Sequence, residues 1–159
     1  MFSFSDTDLN DLPINLQALI ADDDNLISVL ANTSALLNQY LPEINWVGFY
    51  LLNAQNVLTL GPFQGKIACT RIPVGKGVCG QAVAQNKVLR IDDVHQFAGH
   101  IACDSASNAE IVLPLYHQGK IIGVLDIDSP KFARFTEQDQ HILERCMQQL
   151  TDHLSTLNI

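Results

Sequence analysis

The chain has 159 residues, 47% hydrophobic and 16% charged, a balance that suits one compact domain over residues 1–159 and excludes a disordered chain. Nine Lys+Arg against 17 Asp+Glu give a net charge of −8, which argues against nucleic acid and against an anionic membrane surface as partners. Apolar stretches fall short of the ~20 residues that span a bilayer, and Met1–Leu12 has no basic segment before an apolar run. The default address is therefore cytoplasmic.

The first forty residues read as helical. Leu16, Leu19, Ile20 and then Leu26, Ile27, Leu30, Leu36, Leu37, Tyr40 and Leu41 recur at spacings of three and four. The run Asp22-Asp23-Asp24 marks a break and the start of a second helix. From Asn45 to Leu52 the texture becomes aromatic and apolar without helical gaps, as in a buried strand. Asn53–Asn56 reads as a turn, and Val57–Leu60 as the returning strand. Lys66–Ile72 reads as a further short strand, Val78–Gln85 as a short helix after Gly77, and Val88–Ile91 as another strand.

Asp92–Asn108 shows no period, and a loop of this length in a small domain points to function or mobility. Glu110–Tyr116, the turn His117–Lys120 and Ile121–Asp128 form a hairpin. Thr136 caps a last helix whose stripe is Ile142, Leu143, Cys146, Leu150, Leu154 and Leu157. The order predicts an α+β domain, an antiparallel sheet covered by terminal helices.

Four cysteines need explaining, because a reducing compartment does not sustain a static disulfide framework. Cys103 lies in the irregular loop, where a substrate or a second thiol can reach it. Cys69 falls within the Lys66–Ile72 segment, and Cys79 opens the short helix, where a helix N-terminus lowers a thiol pKa. Core packing is the plain alternative for both. Cys146 sits on an apolar stripe and reads as core. Zinc needs closely paired ligands, and His95 with His100 supplies only the histidine half of such a pattern. Gly75-Lys-Gly-Val-Cys-Gly80 lacks the frame of a phosphate loop.

Asp126 and Asp128 are two apart on a strand, so they share a face while Leu125 and Ile127 point to the core. Glu110 opens the partner strand and lies near the same end of the sheet. Neighbouring carboxylates repel unless solvated or given a cation. They form either a solvated strand end or a wall for an ammonium group with a proton to share. Trp46, Gly48 and Tyr50 share one face, and the glycine between the two aromatics leaves a hollow for an apolar ligand group, with core packing as the alternative.

Asn45-Trp-Val-Gly-Phe-Tyr50, Leu60-Gly-Pro-Phe-Gln-Gly65, Ala68-Cys-Thr-Arg-Ile-Pro73, Gly75-Lys-Gly-Val-Cys-Gly80 and Val124-Leu-Asp-Ile-Asp-Ser129 together resemble the free methionine-(R)-sulfoxide reductases, which are stand-alone GAF domains. The resemblance runs over nearly the whole chain. It implies a six-stranded antiparallel sheet flanked by helices, and a homodimer. It implies catalysis by Cys103, a Cys69–Cys103 disulfide, an auxiliary part for Cys79, and substrate contacts from Glu110, Asp126, Asp128, Trp46 and Tyr50. It further implies free methionine sulfoxide as substrate and regeneration by thioredoxin and NADPH, with no metal or organic cofactor. Two alternatives remain open at this point: a non-catalytic GAF module that binds a small molecule, and a cysteine redox switch.

Overall fold

The computed structural model describes residues 8–101 and 106–159. Helix α1 (Leu12–Ile20) carries Pro13 in its first turn, where a missing N–H costs nothing. The acidic run separates it from α2 (Leu26–Tyr40), which is capped by the Asn25 side chain accepting from Ser28 N at 3.0 Å. Strands β1 (Trp46–Leu52), β2 (Val57–Gly65) and β3 (Arg71–Pro73) follow, then α3 (Gly77–Gln85) and β4 (Leu89–Ile91). The second hairpin is β5 (Ala109–His117) with β6 (Lys120–Ser129). The chain then enters α4 (Glu137–Leu154), where Thr136 and Asp139 cap each other's backbone N–H reciprocally.

The strands form one antiparallel sheet in the order β3-β2-β1-β6-β5-β4. Period-2 alternation gives it two apolar faces. Val47 and Phe49 of β1, Ile111, Leu113 and Leu115 of β5, and Leu125 and Ile127 of β6 meet the apolar stripes of α1, α2 and α4. Cys146 is 1% exposed in that layer and is core, as its place on the stripe predicted. The opposite face carries Trp46, Tyr50, Leu58, Val112 and Val124, and α3 covers it with Val78, Cys79 and Ala82. No helix is long and apolar enough to cross a membrane among the described residues.

The structure corrects the sequence reading between residues 60 and 72. β2 does not stop at Leu60 but continues to Gly65, and Lys66–Thr70 is not a strand. Pro62 cannot donate to a ladder and lies within the strand. A bulge absorbs it. Gly48 pairs with Phe63 and Tyr50 with Leu60, so Phe49 alone faces two residues of β2.

The hollow expected at Gly48 is also filled. Phe63 comes over it from β2 and stacks on Trp46 at 5.2 Å between centroids. A Cβ on Gly48 would stand 2.3 Å from the Phe63 Cβ. Gly48→Ala must therefore push β1 and β2 apart, and a loss of about 1–3 kcal/mol is expected in urea unfolding.

Candidate active site

The pocket lies on the α3-covered face, at the end of the sheet where β1, β5 and β6 bring their polar residues together. Strand register sets its order. Trp46, Asp128 and Glu110 face one another across β1, β6 and β5, and Gly48, Asp126 and Val112 form the next row. The three carboxyls thus share one face and one end, as their spacing predicted, with Leu125 and Ile127 in the core behind them. Glu110 and Asp126 are each 6% exposed, and Asp128 is half-buried. Trp46 and Tyr50 stack at 5.9 Å between centroids and form an aromatic wall, and Val78 and Ile72 close the apolar side.

The seat of Asp126 explains its electrostatics. Its row neighbours are a glycine and a valine, neither of which offers a side-chain donor. Its Oδ1 is buried and has no hydrogen-bond partner among the described residues. Burial raises its pKa, while hydrogen bonds from Glu110 and Cys79 pull the other way. Glu110 is pushed well above the carboxylic range, first by burial, then by the charges of Asp126 and Asp128. The two acids titrate as a pair, and burial pushes both carboxyls above the usual carboxylic range.

Cys79 sits in the first turn of α3, 4% exposed, with Sγ 4.0 Å from Glu110 Oε1. Its thiol is pushed well up by burial and then by the charges of Asp126 and Glu110. The helix N-terminus therefore does not make it a thiolate. Its burial, with the acids beside it, outweighs the dipole.

The irregular loop contributes more than its sequence announced. His100 and Ser107 line the pocket, and Ile101 packs against Gly77. His100 Nε2 stands 3.9 Å from Glu110 Oε2. Burial, then the nearby His95, lowers the His100 pKa, and burial raises that of Glu110, so both shifts disfavour an ion pair here. His95 turns away, with Nε2 3.0 Å from Asn108 Oδ1. The two histidines do not converge on a metal. Among the described residues, Cys79, Glu110 and Asp126 are the one group of three whose ligand atoms all lie within 4.8 Å of one another. Each is buried and held toward its protonated form, so a metal would have to displace their protons.

Cys69 lies between β2 and β3, half-buried and next to Ala68 of the pocket wall. It is disulfide-bonded, whereas Cys79 and Cys146 are free thiols. Cys103 lies outside the described residues.

The arrangement is that of a GAF domain, and the GAF domain family model matches residues 25–154. The chain is 60% identical to the free methionine-R-sulfoxide reductase of Escherichia coli over 92% of its length and 88% of that protein's. The enzyme of the same name from Neisseria meningitidis, solved in complex with its substrate, superposes with a TM-score of 0.92 at 40% identity, covering 98% of this chain and 97% of that one. The Staphylococcus aureus counterpart, also solved in complex with substrate, gives 0.88 at 49% identity, covering 96% and 99%. The chain belongs to the free methionine-R-sulfoxide reductase family.

Proposed function

We propose that this protein reduces free L-methionine-(R)-sulfoxide to methionine. The observation that carries the reading is the buried acid pair, Glu110 with Asp126, facing an aromatic wall in a chain of this family. The substrate's ammonium meets Asp126 and Asp128, and Asp126 Oδ1 gains the donor it lacks. That positive charge keeps Asp126 ionised and leaves the shared proton on Glu110. Trp46 and Tyr50 enclose the methyl end. A methionine inside a peptide has no free ammonium to offer, which accounts for a preference for the free amino acid.

Glu110 hydrogen-bonds the sulfoxide oxygen and makes the sulfur electrophilic. The Cys103 thiolate attacks that sulfur and Glu110 gives its proton to the oxygen; the oxygen then passes from the substrate sulfur to the Cys103 sulfur as methionine leaves, which yields a sulfenic acid. The Cys69 thiol condenses with it, releasing water and forming a Cys69–Cys103 disulfide. Thiol–disulfide exchange with a thioredoxin-type dithiol restores both thiols. Cys79 is auxiliary: its thiol donates into the acid pair, and its burial makes it a slow resolving thiol. A protonated Glu110 also spares Cys103 part of the repulsion that three carboxylates would exert on a thiolate.

The test supplies the free R sulfoxide with thioredoxin, thioredoxin reductase and NADPH. The expected result is NADPH loss matched by methionine, with the S sulfoxide inert. Binding of the sulfoxide without methionine formation would replace this reading by that of a ligand-binding GAF module.

A further inference from the structure

The segment that carries Cys69 has no ladder of its own. Lys66–Thr70 is irregular, and Ile67 at its centre is 92% exposed, so apolar burial does not hold it down. Hydrogen bonds fix its carbonyls instead. The Trp46 indole Nε1 donates to Lys66 O at 3.1 Å, and the Tyr50 hydroxyl donates to Cys69 O at 2.9 Å. Leu60 N donates to Thr70 O at 3.0 Å and ties the far end to β2. The two aromatic donors are 3% and 2% exposed, stacked on each other, and stand on a strand at the middle of the sheet. Their hydroxyl and indole N–H point across the pocket at backbone, and only their ring faces are left to a ligand.

We propose that Trp46 and Tyr50 are positioning residues for the resolving step, holding the Cys69 segment as a strap so that its thiol is presented to the oxidised nucleophile. The inference rests on the reductase reading and deepens it. Cys69 is disulfide-bonded in this structure, so these bonds hold the strap in the arrangement that the resolving step produces. Closure joins the Cys69 thiol to the sulfenic acid, forms the S–S bond and expels the oxygen as water. A reaction between two groups of one chain runs at a rate set by how well they are pre-aligned. Loss of one of these part-buried hydrogen bonds frees an end of the strap and leaves its carbonyl without that donor.

The experiment follows a single turnover. Fully reduced protein is mixed with the free R sulfoxide without reductant, and methionine and remaining thiols are measured in the same quenched samples. In the wild type, thiol closure keeps pace with methionine. In Tyr50→Phe, which keeps the ring and removes the hydroxyl, closure is expected to slow roughly tenfold more than methionine formation. The sulfenic acid that accumulates is trapped by a cyclic 1,3-dione and seen by mass spectrometry. Trp46→Phe, which keeps a ring against Phe63, carries the same test should the first variant not fold. Methionine and closure slowing in equal proportion in the variants would overturn the strap and leave the aromatics as substrate contacts alone. Failure of the wild type to release any methionine would overturn the reductase reading itself.

Discussion

Cys103→Ser is expected to abolish methionine formation, lowering turnover by at least roughly a thousandfold, because a hydroxyl is too weak a nucleophile toward sulfur without a base. Cys69→Ser is expected to fail differently. It releases about one methionine per chain and then stalls with thioredoxin, because the sulfenic acid finds no partner thiol to make the disulfide that thioredoxin opens. Quantifying methionine with and without thioredoxin separates the two. A Cys103→Ser protein that still turns over would remove Cys103 as the nucleophile, and a Cys69→Ser protein with undiminished thioredoxin-coupled turnover would hand the resolving role to Cys79.

Glu110→Gln is expected to cost activity and gain stability together. The amide keeps the shape but cannot donate an acidic proton to the sulfoxide oxygen, and loss of a general acid lowers the rate by roughly 10²–10⁴. The stability change follows from linkage. Burial, then the neighbouring carboxylates, raises the folded pKa of Glu110 above the unfolded value of about 4.3. The folded state then binds more protons than the unfolded one between those two values. Stability from this group is complete below the unfolded pKa and is lost as pH rises through the folded one. Glutamine has no charge to bury. At neutral to mildly alkaline pH the variant should gain about 1 kcal/mol, or about 2–4 °C in Tm for a chain of this size. Melting curves at pH 5 and pH 8 are the measurement. The difference between variant and wild type should grow toward pH 8, and a variant less stable than the wild type at pH 8 would refute the protonated assignment.

The parts of this site that were legible in the sequence are those governed by alternation on a single strand. Leu125 and Ile127 against Asp126 and Asp128 need only period 2 and an apolar core, and the structure places both pairs accordingly. The same holds for Trp46, Gly48 and Tyr50 on one face. What the sequence hid depends on a second strand or a distant segment. The bulge over Gly61-Pro62 is visible only once β1 is known to be its partner. Ile67, Ala68 and Cys69 imitate a strand by composition, yet the carbonyls of Lys66 and Cys69 go to an indole and a phenol rather than to a ladder. Phe63 over Gly48 and His100 beside Glu110 are contacts between residues far apart in sequence, with no local signature. The descent of Cys79 into an acid cluster belongs to the same group, and it reversed the helix-dipole expectation.

The acids at the end of β6 also act before any substrate arrives. On the opposite face of that strand lie Leu125 and Ile127, at 0% exposure in the main apolar layer. A slip of one residue in strand pairing would turn Asp126 and Asp128 into that layer and expose the two hydrophobes. Such a mispaired sheet would carry two carboxyls among leucines with no donors to receive them. The residues proposed to select the ligand thereby proofread the folding of the sheet that holds them, so a chain that reaches its stable register reaches it with its acids already aimed into the pocket.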